Sequence, residues 1–240
     1  MLIQPETIHP ALWRGAHMSR VVGPCISTGY ADLDASLPGG GWPQGNLIDL
    51  LLAQPGIGEM RLLQPMLQQL LATQSDACPV ILLNPPYEPN AICWAKWQLP
   101  TDRLLLIRAR KPKDSAWIAE QILRSNHCAA LLCWLDPIRQ ADLRRLHLLA
   151  QGTESLFLTF RPMTTKDQAS PAPLRLSLHA IFDGLEISVF KRRGPVLKQI
   201  VRLNWYGTDK PQIPGDRSLD RSTPQRAQSE RLAAALAHRA

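Results

Sequence analysis

The chain has 240 residues, enough for one sizeable α/β domain with short appendages and a core that needs no disulfide or metal to stabilise it. Its formal charge of +7 and pI near 9.5 permit contact with nucleic acid or an acidic protein surface, yet the basic residues are spread along the chain as on an ordinary solvated surface. The five cysteines form no CxxC pair and the six histidines are scattered singly, so neither a zinc site nor a disulfide framework organises the fold, and the thiols read as reduced core residues.

Residues 1–22 carry Pro5, Pro10 and Gly15 around the isolated anchors Leu12 and Trp13, a pattern for an arm docked at a few points. They lack the charged and apolar regions of a leader, and no apolar run in the chain approaches the roughly 18 residues of a membrane helix, so a cytoplasmic location is expected. From Cys25 a short helical piece, with Leu33 and Leu37 on one face, leads through a Gly/Pro-rich turn into a strand at Asn46–Leu52. Glu59–Thr73 reads as a helix whose apolar face is Leu62, Leu63, Met66, Leu67, Leu70 and Leu71. Pro65 removes a backbone donor and crowds the carbonyl of Arg61, so a bend near the helix start is expected unless residues 61–65 are its first turn.

Strand Pro79–Leu83, a proline-rich turn "NPPYEPN", a helix around Ala91–Trp97 and strand Arg103–Ile107 come next. Helix Ser115–Arg124, strand Ala129–Leu135, helix Gln140–Ala150 and strand Ser155–Thr159 complete this part. Continuous apolar strands alternating with amphipathic helices indicate an α/β fold with a mostly parallel sheet covered on both faces. Arg161–Pro173 reads as a polar surface loop, after which "LRLSLHA", "GLEISVF" and "LKQIVRLNW" alternate apolar with polar residues and are expected as antiparallel strands added at one end of the sheet. Beyond Tyr206 the composition is that of a flexible linker, followed by a helix that Thr223 can cap with Pro224 in its first turn. The expected division is therefore an arm at 1–22, a domain at 23–206, and a linker with a terminal helix at 207–240.

The stretch "LLAQPGIGEMR" has the outline of a phosphate-binding loop: an apolar strand, a glycine turn, then a helix. A working loop reads G-x-x-x-x-G-K-[ST], in which backbone donors and lysine hold the phosphates and the hydroxyl holds Mg²⁺. Registered on Gly58, with Gly56 in the turn, the first glycine is Ala53, the lysine is Glu59 and the hydroxyl residue is Met60. Glu59 sets a carboxylate against a phosphate chain and can itself occupy the positive end of the helix, so no nucleotide cofactor is expected. The strand that would end in a magnesium-binding aspartate reads "AALLCWLDP", with Trp134 at the natural position and Asp136 two residues on. Asn84-Pro85-Pro86 stands where a carboxylate to activate water would be needed, and Glu88 is placed in a turn. With no paired carboxylates, GxSxG or HExxH, the chain is expected not to be an enzyme and to hold no metal.

The segment "ISTGYADLDASLPGGGWPQGNLIDLLLAQPGIGE" resembles the core of RecA recombinases, and residues 10–205 as a whole resemble the ImuA family of RecA-like accessory proteins, within a wider relationship that includes SulA-like division inhibitors. "STGYADLDASLPGGGWPQG", "AALLCWL" and "FKRRGPVLKQIVRL" carry the likeness. It implies a RecA-like core with a degenerate phosphate loop and a role in SOS-induced translesion DNA synthesis. It also implies action as a scaffold beside an ImuB-like inactive Y-family polymerase relative and an error-prone C-family polymerase; the SulA-like alternative would bind the division protein FtsZ. A third reading keeps residual ATPase activity.

Candidate interaction residues are Lys191, Arg192 and Arg193 at a strand end and Arg226, Arg231, Leu232 and Leu236 in the terminal helix. Together with Arg108, Arg110, Lys111 and Lys113 and with Arg139, Arg144 and Arg145, the strand-end group reads either as contacts to phosphates or an acidic partner, including weak contact with DNA, or as solvated edges.

Overall fold

A computed structural model describes residues 23–75, 77–194 and 200–205; the expected N-terminal arm and the C-terminal linker and helix, with Arg226, Arg231, Leu232 and Leu236, lie outside the described residues. The described elements are β1 (Cys25–Ile26), α1 (Ala31–Ser36), β2 (Trp42–Pro43), β3 (Leu47–Leu52), α2 (Glu59–Thr73), β4 (Val80–Leu83), α3 (Ala91–Lys96) and β5 (Leu104–Ile107). They continue with α4 (Pro112–Ser125), β6 (Ala130–Trp134), α5 (Gln140–Ala150), β7 (Leu156–Pro162), β8 (Leu174–Ile181), β9 (Gly184–Lys191) and β10 (Ile200–Asn204). β1 and β2 form a small ribbon, and the other strands form one sheet in the order β10-β9-β8-β3-β7-β6-β4-β5.

β3, β4 and β6 are almost wholly apolar because both faces of the sheet are covered. On one face Ile48, Leu50 and Leu52 of β3 join Leu62, Leu63, Met66, Leu67 and Leu70 of α2 in the larger core. On the other, Leu47 packs with Leu123 of α4 and Leu143 and Leu146 of α5. Each such leucine contributes about 1.5–3 kcal/mol by leaving water. The helices are therefore fixed to the sheet by the stripes that their sequences display.

Pro65 lies inside α2 without ending it. The Arg61 carbonyl that loses its helical donor accepts instead from the Tyr30 hydroxyl at 3.4 Å. Burial pushes the Tyr30 phenol up to about 12, partly offset by the Arg61 charge, so the hydroxyl keeps its proton for this bond.

Six strands, β8-β3-β7-β6-β4-β5, run parallel, and β9 and β10 are added antiparallel. The expectation of three antiparallel strands is thus corrected at β8, which pairs parallel with β3. Alternation in "LRLSLHA" reports its two unlike faces, not its direction: Leu174, Leu176 and Leu178 enter the larger core while Arg175 and Ser177 point to the opposite face.

A second correction follows. β7 continues to Pro162, so Arg161 belongs to a strand and is buried. Residues 163–173 return the chain along β3 to the start of β8, and Thr165 and Ala172 in this connection are buried. Among the described residues no helix is long and apolar enough to cross a membrane.

Candidate functional site

The C-terminal ends of β3, β4, β6 and β7 meet at one edge of the sheet, the place where open α/β sheets bind ligands. Two cavities lie there. The larger, of about 540 Å³, is lined by Leu52, Ala53, Asn84, Arg110, Trp134, Asp136, Phe160 and Arg161 among others. The smaller, of about 260 Å³, takes in Gly56, Gly58, Glu59, Met60 and Arg61 together with Tyr87, Trp94, Trp97 and Trp134. Trp134 is shared by both and stacks on Phe160 with 4.3 Å between ring centroids.

β3 delivers its chain into an exposed turn at Ala53–Gly56, and Gly58 begins α2 with φ +111, a conformation that requires glycine. Glu59, only 3% exposed, folds back over this turn. Its Oε1 accepts from the Gly56 amide at 2.8 Å and its Oε2 from the Gly58 amide at 3.2 Å. The carboxylate thus occupies two backbone donors of the turn and sits at the positive end of α2. A nucleotide polyphosphate does not fit these residues: it would have to displace an internal anion and then lie beside it.

The neighbouring wall is aromatic. A side chain at Gly56 would meet the Tyr87 ring at 3.2 Å and one at Gly58 the Trp205 ring at 3.5 Å. Arg61 lies over the Trp205 ring at 4.8 Å and donates to the Trp205 carbonyl at 3.1 Å, which brings the end of β10 against the turn. Met60 is half-buried against the larger core.

Lys191, Arg192 and Arg193 are not at this edge site. The Lys191 ammonium donates to the Ser170 carbonyl at 2.6 Å, and the Arg192 guanidinium donates to the Ser36 carbonyl, tying the end of β9 to the β7–β8 connection and to α1. Arg193 is exposed. Of the other basic groups, Arg139 pairs with Asp142 and Arg145 with the buried Glu120 at 2.7 Å, so part of that surface charge clamps α4 to α5. Arg108 lies 3.6 Å from Glu88.

Sequence reasoning missed a buried charge cluster on the α4/α5 side of the sheet. Asp49, fully buried in β3, accepts from the Thr159 hydroxyl at 3.1 Å, from Arg175 Nε at 2.9 Å and from Arg161 Nη1 at 3.4 Å. Arg175 also donates to the carbonyls of Thr165, Lys166 and Gln168, fixing the β7–β8 connection. Lys191 lies close enough that its ammonium is pushed down, first by burial and then by the Arg175 charge, with Asp49 acting in the opposite sense. The available signal was Asp49 itself, a carboxylate inside "LIDLLL".

No family model matches the chain. Over 112 residues it is 28% identical to the cell division inhibitor SulA of Edwardsiella piscicida, a match covering 47% of this chain and 65% of that protein, so the chain spans less than two thirds of the relative's length. The crystal structure of SulA from Pseudomonas aeruginosa matches with a TM-score of 0.39 and 24% identity, over 48% of this chain and 97% of that one. The relationship to SulA-like proteins expected from the sequence is found over these 112 residues.

Proposed function

We propose that the chain is a non-catalytic accessory protein of the SOS response, built on a RecA-like core with a degenerate phosphate loop and acting through protein contacts in translesion DNA synthesis. The observation that carries the non-catalytic reading is the Glu59 carboxylate held by the Gly56 and Gly58 amides. A turn that supplies its own anion has a structural role, and the fold then serves to present surfaces. The partners on this reading are an ImuB-like inactive polymerase relative and an error-prone C-family polymerase, and the site of action is the cytoplasm. The similarity to SulA supports the SOS-response setting.

That same similarity favours a second reading, a division inhibitor that binds FtsZ. Two measurements separate the alternatives. Titration of the full chain with millimolar ATP and Mg²⁺ is expected to give no binding heat, and tight binding would sink the non-catalytic reading. Affinity capture from damage-treated cells is expected to return the ImuB-like partner. Capture of FtsZ, with filamentation on overexpression, would replace the first reading by the second, and capture of neither would refute both.

A further inference from the structure

The smaller edge cavity, of about 260 Å³, is an aromatic groove between the Gly56–Gly58 turn and α3. Tyr87, Trp94, Trp97 and Trp134 line it, together with the prolines of the turn that precedes α3. Its polar side chains have partners of their own. Glu59 accepts from the Gly56 and Gly58 amides, Asn90 caps α3 by accepting from the Ile92 amide at 2.9 Å, and Glu88 lies 3.6 Å from Arg108. Arg61 donates to the Trp205 carbonyl at 3.1 Å. The wall therefore calls for an apolar occupant, and Tyr87, 66% exposed, offers it an open ring.

The described chain ends beside this groove. The Trp205 ring lies against Gly58 and under Arg61, and both of those residues line the groove. Trp205 is the last described residue, and the sequence continues Tyr206-Gly207-Thr208-Asp209-Lys210-Pro211-Gln212-Ile213-Pro214. Pro211 and Pro214 stand three apart, one turn of a polyproline II helix, with Ile213 between them. Aromatic grooves take such segments because proline rings lie flat on aromatic faces and the helix is already ordered, so docking costs little entropy. The extended chain from Trp205 to Pro211 spans up to about 20 Å, and the groove begins at the residues that Trp205 touches.

We propose that this groove is a docking site for the chain's own residues 210–214, with the Pro211 and Pro214 rings and the Ile213 side chain against its aromatic walls. Its volume falls below the range of about 300–1,000 Å³ usual for small-molecule sites and suits the few side chains of a docked peptide. A short connection holds its end at an effective concentration on the order of 1 mM, so a contact with a Kd of about 0.1 mM is formed about ten times as often as it is open. The contact sets the point on the domain from which residues 215–240, with the candidate interaction residues Arg226, Arg231, Leu232 and Leu236, begin.

Cys93 is an exposed free thiol on the groove wall, so its rate of alkylation by iodoacetamide, read by mass spectrometry on the full chain, reports the cover. Ile213→Asp is expected to speed the reaction up to about tenfold, and Leu219→Asp, beyond the segment, to leave it unchanged. In NMR spectra of the full chain the Ile213 methyls are expected to show nuclear Overhauser contacts to the Trp97 and Tyr87 rings of the same molecule. An acceleration under about twofold in Ile213→Asp, equal acceleration by Leu219→Asp, or Ile213 methyls without contact to the groove rings would overturn the proposal. Contacts found only between differently labelled molecules would overturn it as well, by giving the groove to the segment of a second copy.

Discussion

Replacing Glu59 by alanine removes the acceptor of two backbone amides at the start of α2. Hydrogen bonds to a charged group contribute about 1.5–3 kcal/mol each. Here one is well made at 2.8 Å and the other is longer at 3.2 Å. Gly56 is exposed, so water takes over part of its loss, while Gly58 is half-buried beside Trp205. Loss of the charge at the helix end adds about 0.3–1 kcal/mol. The sum for Glu59→Ala is about 2–3 kcal/mol, or about 4–12 °C in Tm for a domain of this size. Glu59→Gln keeps an acceptor and should lose about half as much. Thermal unfolding followed by circular dichroism, with and without sulfate, measures both consequences. Sulfate should raise the Tm of Glu59→Ala more than that of the parent, because only the variant frees the Gly56 and Gly58 amides, while the general stabilisation by excluded sulfate is common to both. A loss under about 0.5 kcal/mol, or equal stabilisation of parent and variant by sulfate, would refute the role assigned to Glu59.

Asp49→Asn leaves two buried guanidiniums on a neutral amide and should cost about 3–5 kcal/mol in urea unfolding; a loss under about 1 kcal/mol would show the cluster to be compensated elsewhere. Tyr30→Phe should cost about 1 kcal/mol, and the cost should vanish in a Pro65→Ala background, where the backbone amide restored at that position can serve the Arg61 carbonyl. His147 accepts the Leu47 amide on Nδ1 at 3.3 Å, and burial first, then Arg193 and Lys191, hold its imidazole below the ordinary value. The unfolded chain therefore binds a proton that the folded chain resists. Stability should be full above about pH 6.5 and fall as pH drops from there toward the lowered folded value, with His147→Gln flattening that slope in denaturant midpoints measured against pH.

Much of the fold is written in periodicity. The bounds of α2 follow from its leucine stripe, and the apolar runs of β3, β4 and β6 follow from burial on both faces. Periodicity does not carry direction or position in the sheet. β8 alternates because one of its faces meets charge, and β5 reads like a central strand although it lies at the edge with Leu105 and Leu106 exposed. At the site, the glycine turn and the misfit of Glu59 were legible. The carboxylate's contact with Gly56 and Gly58 was not, because it depends on a fold-back that spacing alone does not specify. Lys191 and Arg192 read as surface cations since their acceptors, on Ser170 and Ser36, stand 21 and 156 residues away.

The informative residue in "LIDLLL" was the one that breaks the pattern. A carboxylate in a strand covered on both faces requires cations from strands beside it, and those strands place Thr159 and Arg175 opposite Asp49 in register. The chain supplies more positive charge than Asp49 balances. Just past the C-terminal end of the same strand the opposite holds, because Glu59 occupies the Gly56 and Gly58 amides of the turn. The edge of the sheet therefore presents an anion-binding turn that the chain has filled with its own carboxylate. Glu59→Ala should therefore create sulfate binding at the Gly56 and Gly58 amides, read as a saturable shift of those two amides in an NMR titration that the parent does not show. The same shifts in the parent would mean that Glu59 leaves these donors free and that its fold-back is not what fills the turn.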